Sequence, residues 1–233
     1  MKQIKQIFES LLYLIYPDVC MNCGNSLVTG EEVLCTHCEI KLPRTRFHSD
    51  NKNLVNQIFW GRVNVDAATA FLYFRKGGSV QRLMHQLKYQ GEREVGEFLG
   101  RLFGIELQKA LFFSSADLLI PVPLHPAKQK KRGYNQSEVI ARGMAQTMNA
   151  RVDTTSLIRR KFSETQTRKA RYSRWENVKS IFALTENHQV ANKNVILVDD
   201  VLTTGATMES CARILTEQGH ASVGIGALAI ASH

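Results

Sequence analysis

The sequence predicts an α/β fold built on a largely parallel sheet, preceded by a small metal-binding module. Three observations carry that prediction. From residue 65 onward, apolar strand-like runs alternate with stretches of helical periodicity, the pattern of an open α/β sheet. One run, NVILVD at 194–199, holds four consecutive apolar residues up to its aspartate, as expected of a strand buried on both faces. Ahead of these, two Cys-x-x-Cys pairs fall within 17–43, a polar segment too short to bury much core of its own.

The elements follow in order. Residues 1–16 place Ile4, Ile7, Phe8, Leu11, Leu12 and Ile15 on one helical face, so an amphipathic helix is expected, stopped by Pro17. That helix either packs on its own domain or docks on a membrane surface or partner. Residues 17–43 form the cysteine module, and the polar residues 44–64 read as a linker. The α/β domain spans 65–233, opening with a strand at 66–74 and helices at 79–89 and 91–111. ADLLIPV at 116–122 is an apolar strand ending among prolines. Asn135 is a candidate cap for a helix at 135–149. Short strands at 155–160 and 180–184 flank a basic loop, and the strand at 194–199 follows. A helix at 206–218, closed by Gly219, and a strand at 221–230 complete the chain.

Composition bounds the function. The chain is 44% hydrophobic and 22% charged, an ordinary globular balance. No apolar run reaches the roughly 18–20 residues of a membrane span, and no secretory leader pattern opens the chain. A cytoplasmic protein is expected. The formal charge of +9 is concentrated: thirteen Lys/Arg against three Asp/Glu lie between Lys128 and Arg174, a local net of +10. Such a block either binds phosphate, on a small molecule or along a nucleic acid, or is a solvated face.

Cys20, Cys23, Cys35 and Cys38 carry the strongest metal signal. Each Cys-x-x-Cys can present two sulfurs on one tight turn, and two turns close a tetrahedron suited to structural Zn²⁺. A disulfide pair is the competitor, disfavoured in a reducing compartment. His37 is read as a bystander and Cys211 as core. Four thiolates leave no open coordination position, so the metal is expected to stabilise the fold. As two separate modules, chelation should destabilise the N-terminal one and leave ligand binding elsewhere nearly intact.

VILVDDVLTTGAT at 195–207 carries the second site. In open α/β sheets, ligands sit beyond the carboxyl ends of strands. Asp199 and Asp200 are adjacent carboxylates at such an end and repel unless donors or a cation meet them. Thr203, Thr204, Gly205, Ala206 and Thr207 then lead into a helix N-terminus, where free N–H groups and the helix dipole favour phosphate. Together they describe a sugar-phosphate site, the diol on the carboxylates and the 5′-phosphate on the loop.

This segment resembles the 5-phosphoribosyl-1-pyrophosphate (PRPP) motif of type I phosphoribosyltransferases. Pro121 to Leu124, Arg132 to Gln136 and, more loosely, Thr165 to Thr167 resemble the pattern of the ComF family, as does LKYQGE at 87–92. The resemblance runs from the first Cys-x-x-Cys to the last strand. It implies a type I phosphoribosyltransferase-like domain behind a zinc module, with Lys88 at a pyrophosphate-binding place, or else a solvated lysine on a helix end. It also implies a mobile basic loop over 159–174, with Arg159, Arg160, Lys161, Arg168, Lys169, Arg171 and Arg174 gripping pyrophosphate. The same residues, with Lys128, Lys130, Lys131, Arg132, Tyr134, Tyr172 and Trp175, can instead track single-stranded DNA. Thr203 stands where hypoxanthine-guanine enzymes carry an aspartate base, which argues against 6-oxopurine transfer.

Three functions stay open on these readings. The first is a PRPP-binding protein of DNA uptake or utilisation, working with uptake proteins at the inner face of the membrane. The second is a transferase using Mg²⁺ with PRPP, its acceptor and catalytic residues unassigned. The third is a PRPP-sensing regulator.

Overall fold

The computed structural model describes residues 18–160 and 181–231. The helix expected over 1–16 lies outside them, as do Lys161, Arg168, Lys169, Arg171, Tyr172, Arg174 and Trp175. In chain order the elements are α1 (Thr36–Ile40), α2 (Leu54–Phe59), β1 (Ala67–Phe74), α3 (Ser79–His85), a π-helical turn (Gln86–Gln90), α4 (Arg93–Leu107) and α5 (Leu111–Ser114). Next come β2 (Leu118–Pro121), α6 (Pro126–Arg132), α7 (Gln136–Ala145), β3 (Arg151–Val152), β4 (Leu157–Arg159) and β5 (Phe182–Leu184). The last three are β6 (Asn194–Leu202), α8 (Ala206–Glu217) and β7 (Ser222–Ala231).

Five strands form one sheet in the order β1-β7-β6-β2-β3, with every pairing parallel. The short β4 and β5 pair antiparallel as a separate ribbon. Apolar residues on both faces of β6 explain its central place: Val195 and Leu197 enter one core, Ile196 and Val198 the other. The core of Ile196 and Val198 holds α4 and α7, and the core of Val195 and Leu197 holds α8. The helices that follow β2 and β6 therefore leave to opposite faces, and a crevice opens between these two strands at their carboxyl ends.

A glycine seam sets the approach of α4 to α7. A Cβ on Gly100 would strike the Ile140 carbonyl, and one on Gly143 would lie 2.8 Å from Glu97 Cα. Only bare backbone permits this spacing, which fixes where α7 begins relative to the crevice.

The polarity of 44–64 predicts a linker, but the segment is packed. Thr45 N–H donates to Phe71 O at 2.9 Å and Tyr73 N–H to Pro43 O at 2.8 Å, so this stretch runs antiparallel along β1. Asn53 caps α2, accepting from the Val55 and Asn56 N–H groups at 2.8 and 3.1 Å, and its amide donates to Ala68 O of β1 at 2.9 Å. Val55 and Phe59 are fully buried. The polar residues misled because several of them, Asn53 and Asn56 among them, satisfy buried backbone rather than face solvent.

The cysteine segment is not separate either. Leu27, Val33, Leu34 and Leu42 join the same core as Phe71, Phe103 and Leu119. Among the described residues no helix is long and apolar enough to cross a membrane.

Candidate functional site

The two aspartates lie inside β6 rather than at its end. β6 continues to Leu202, paired with β7, whereas its pairing with β2 stops at Pro121 opposite Val198. Asp199 and Asp200 are the next two residues, flanking the mouth of the crevice. Both are half-buried. Ser137, in the first turn of α7, donates its hydroxyl to Asp199 Oδ1 at 2.8 Å, and the Asp200 N–H donates to the same oxygen at 2.9 Å. Asp200 Oδ2 meets Lys88 Nζ at 2.7 Å.

This arrangement separates the two carboxylates chemically. Asp200 has a cation and Asp199 has neutral donors. Desolvation first, and the neighbouring Asp200 charge second, raise the Asp199 pKa from 3.8 to about 7. A carboxyl that ionises near neutral pH is suited to exchanging a proton with a bound hydroxyl.

The loop at 203–207 follows directly and opens as a small cup lined also by Asp199 and Met208. Thr203, Thr204, Ala206 and Thr207 are exposed, while Gly205 is buried. Gly205 takes φ +78°, and a Cβ there would meet Ile58 Cγ2 at 2.8 Å and the Phe59 ring. Glycine is required for both reasons. Arg62 braces the loop from outside, donating to Thr204 O and Ile58 O at 3.0 Å each and pairing with Glu209 at 2.5 Å. The twelve-residue α8 presents its N-terminus to this cup.

Lys88, Asp199, Asp200 and the loop at 203–207 thus gather at one mouth. The described basic residues frame it less closely. Lys128, Lys130 and Lys131 are exposed on α6. Arg132 bonds Gln136 Oε1 at 2.7 Å and lies over the Tyr89 ring at 5.5 Å. Arg159 covers the Phe182 ring at 5.3 Å, and the Arg160 N–H donates to Ile181 O at 2.8 Å. Arg159, Pro126 and Gln129 line a cleft of about 210 Å³ beside the end of β2. The Tyr134 hydroxyl donates to Leu87 O, and its ring carries Arg93 at 4.6 Å. Ser137 and Arg62 escaped the sequence reading. Ser137 stands two residues after a capping asparagine, which was its one legible signal.

Cys20, Cys23, Cys35 and Cys38 converge at the other site. Their sulfurs lie within 4.8 Å of one another, and Cys23 Sγ is 3.8 Å from Cys35 Sγ. A tetrahedron with bonds of ~2.3 Å has edges of about 3.8 Å, so the donor set fits Zn²⁺. The crowded thiols titrate far apart, Cys20 drawn down to about 6 by surrounding hydrogen bonds that outweigh its burial, and Cys38 pushed up to about 12 by burial. Four thiolates would need a cation between them. His37 is not in the cluster, and Cys211 is fully buried in the α8 core.

Comparison with known proteins agrees with this geometry. Residues 128–233 match the family described as phosphoribosyl transferase domain, a span that includes β6 and its loop. "DNA utilization protein YhgH" of Escherichia coli O6:H1 is 28% identical over 214 residues, covering 90% of this chain and 89% of that protein. "Competence protein ComFC" of Bacillus subtilis is 26% identical over 226 residues, covering 91% and 84%. "Competence protein F" of Haemophilus influenzae is 28% identical over 151 residues, covering 63% and 66%. These relatives and the matched domain together support a likeness to the ComF family. Within this ComF-like chain, the phosphoribosyltransferase-like sheet and the four-cysteine cluster share one core.

Proposed function

We propose that this chain binds PRPP or a related phosphorylated ribose at the mouth formed by Asp199, Asp200 and the loop at 203–207, and that it serves DNA uptake or utilisation. One observation carries the reading: two carboxylates with unlike partners stand beside a glycine-broken loop at a helix N-terminus. The ribose diol donates to Asp199 and Asp200. The 5′-phosphate accepts from the loop N–H groups and the Thr203, Thr204 and Thr207 hydroxyls. Lys88 neutralises Asp200 in the free protein and turns to the pyrophosphate when the diol takes its place. Mg²⁺, a hard cation suited to oxygen ligands, would supply charge screening for the pyrophosphate beside Asp199 and Asp200. Zinc in the cysteine cluster is structural.

The exposed lysines of α6 and Arg159 extend a positive surface from this mouth, suited to the backbone of single-stranded DNA. The names of the relatives in DNA utilisation and competence support the DNA role.

Calorimetric titration of PRPP with Mg²⁺ into the metal-loaded protein tests the site. Binding is expected, and its loss in Asp200→Ala. A folded protein that binds no PRPP would overturn the reading. Asp199, ionising near pH 7, favours a second reading in which the chain also transfers the phosphoribosyl group. Mg²⁺-dependent pyrophosphate release with one acceptor would establish it, and none across an acceptor screen would reject it.

A further inference from the structure

Lys88 owes its place to more than its own helix. It sits in the π-helical turn Gln86–Gln90, a wide turn that helices adopt rarely and often at functional sites. Two contacts pin this turn from outside. On one side, the Tyr134 hydroxyl donates to Leu87 O, while the Leu87 side chain is fully buried. On the other, Gln86 Nε2 donates to Met21 O at 2.8 Å.

Met21 and Asn22 are the two residues between Cys20 and Cys23. Asn22 faces both ways. Its amide donates to Cys38 Sγ at 3.2 Å, and its Oδ1 accepts from Arg82 Nε and Nη2 at 3.2 and 2.9 Å. Arg82 and Gln86 stand four apart, hence on one helical face. The knuckle thus holds the turn that carries Lys88, and Lys88 holds Asp200 at 2.7 Å.

The direction of this dependence follows from the cysteines. The turn at 20–23 is held by backbone bonds, Cys20 N–H to Asn25 O at 2.8 Å, Met21 N–H to Val33 O at 3.0 Å and Gly24 N–H to Cys20 O at 2.8 Å, and its two sulfurs are its further anchor points. A metal fixes them, and a thiolate ligand accepts the Asn22 amide more strongly than a thiol does. Freed sulfurs loosen the hold on Met21 O and Asn22, and the Lys88 turn is left with the Tyr134 contact as its firm outside anchor.

We infer that metal in the cysteine knuckle positions Lys88 at the sugar-phosphate mouth, with Asn22 and Gln86 as the positioning residues. The inference rests on the zinc and sugar-phosphate readings above. It replaces the expectation of two independent modules: emptying the knuckle should weaken the grip on pyrophosphate.

The test uses full-length protein whose zinc content is measured by elemental mass spectrometry. Lysine acylation rates are followed by peptide mass spectrometry in loaded protein, chelator-stripped protein and loaded Asn22→Ala. Lys193, at the far end of β6 and 3.5 Å from Asp117, is the reference. Stripping is expected to raise the Lys88 rate about fivefold, the weight of one lost hydrogen bond, with Lys193 unchanged. Asn22→Ala should keep its zinc and show the same direction. Inorganic pyrophosphate should bind several-fold more weakly to both, and ribose 5-phosphate equally well, a split that general loosening would not produce.

An unchanged Lys88 rate in stripped protein, or in zinc-loaded Asn22→Ala, overturns the inference. So does a chain that takes up no metal. If stripping accelerates Lys193 as well, the fold has opened, and the zinc-loaded variant alone decides. Absence of all phosphate binding would overturn the sugar-phosphate reading separately, while the acylation rates still decide whether the knuckle positions Lys88.

Discussion

Asp199→Asn should stabilise this protein, and only at the alkaline end of its range. The folded state holds the Asp199 carboxyl at about 7 against an ordinary 3.8. That difference is about three units, and each unit is worth ~1.36 kcal/mol. A raised pKa means the folded protein holds this proton more tightly than the unfolded chain does. The stabilisation is complete below about pH 4 and is lost as pH rises through 7. Ionised Asp199 therefore costs up to about 4 kcal/mol at pH 8.5, and partial exposure and coupling to Asp200 reduce this to roughly 2–4 kcal/mol. Asparagine keeps an Oδ1 for the Ser137 hydroxyl and the Asp200 N–H, so the change removes the charge and little else. Urea unfolding of both proteins at pH 4.5 and 8.5 measures the effect. His48, whose pKa burial lowers, contributes equally to both and drops out of the difference. A stability gap of the same size at both pH values, or a variant less stable at pH 8.5, would refute the reasoning.

Three further outcomes are expected. Gly143→Ala should drive a methyl into the Glu97 backbone and cost about 1–3 kcal/mol, seen as a thermal midpoint several degrees lower. Arg44→Ala should strand Glu106, which is 5% exposed and bonded to Arg44 at 2.9 Å; a loss of about 3 kcal/mol is expected, partly restored by adding Glu106→Gln. Gly205→Ala should lower ribose 5-phosphate affinity about tenfold or more while costing only about 1–2 kcal/mol of stability, because the strain falls on the loop proposed to hold the phosphate. Calorimetry and unfolding on the same preparation separate those two effects.

Much of the mouth was visible in the sequence because its parts are contiguous. The apolar run, the acid pair, the threonines and Gly205 occupy one stretch of thirteen residues, and a strand-loop-helix places them by local geometry alone. The Cys-x-x-Cys spacing worked for the same reason. Helix α6 and the two-residue β3 were not legible: the first is short and almost wholly polar, the second too brief to show a period. Residues 44–64 looked like a linker because side-chain polarity does not reveal whether its partner is water or buried backbone.

By itself, then, the sequence determined the alternation of strands and helices, the four sulfurs and the acid-and-threonine loop, since each depends on residues near one another in the chain. Tertiary structure alone decided that Ser137 and Lys88 divide the two aspartates between them, and that the knuckle packs into the core and reaches the Lys88 turn. Those contacts join residues separated by 62, 112 and 65 positions. They exist because a glycine seam, a shared core and the helices leaving β2 and β6 on opposite faces bring distant segments to one end of the sheet.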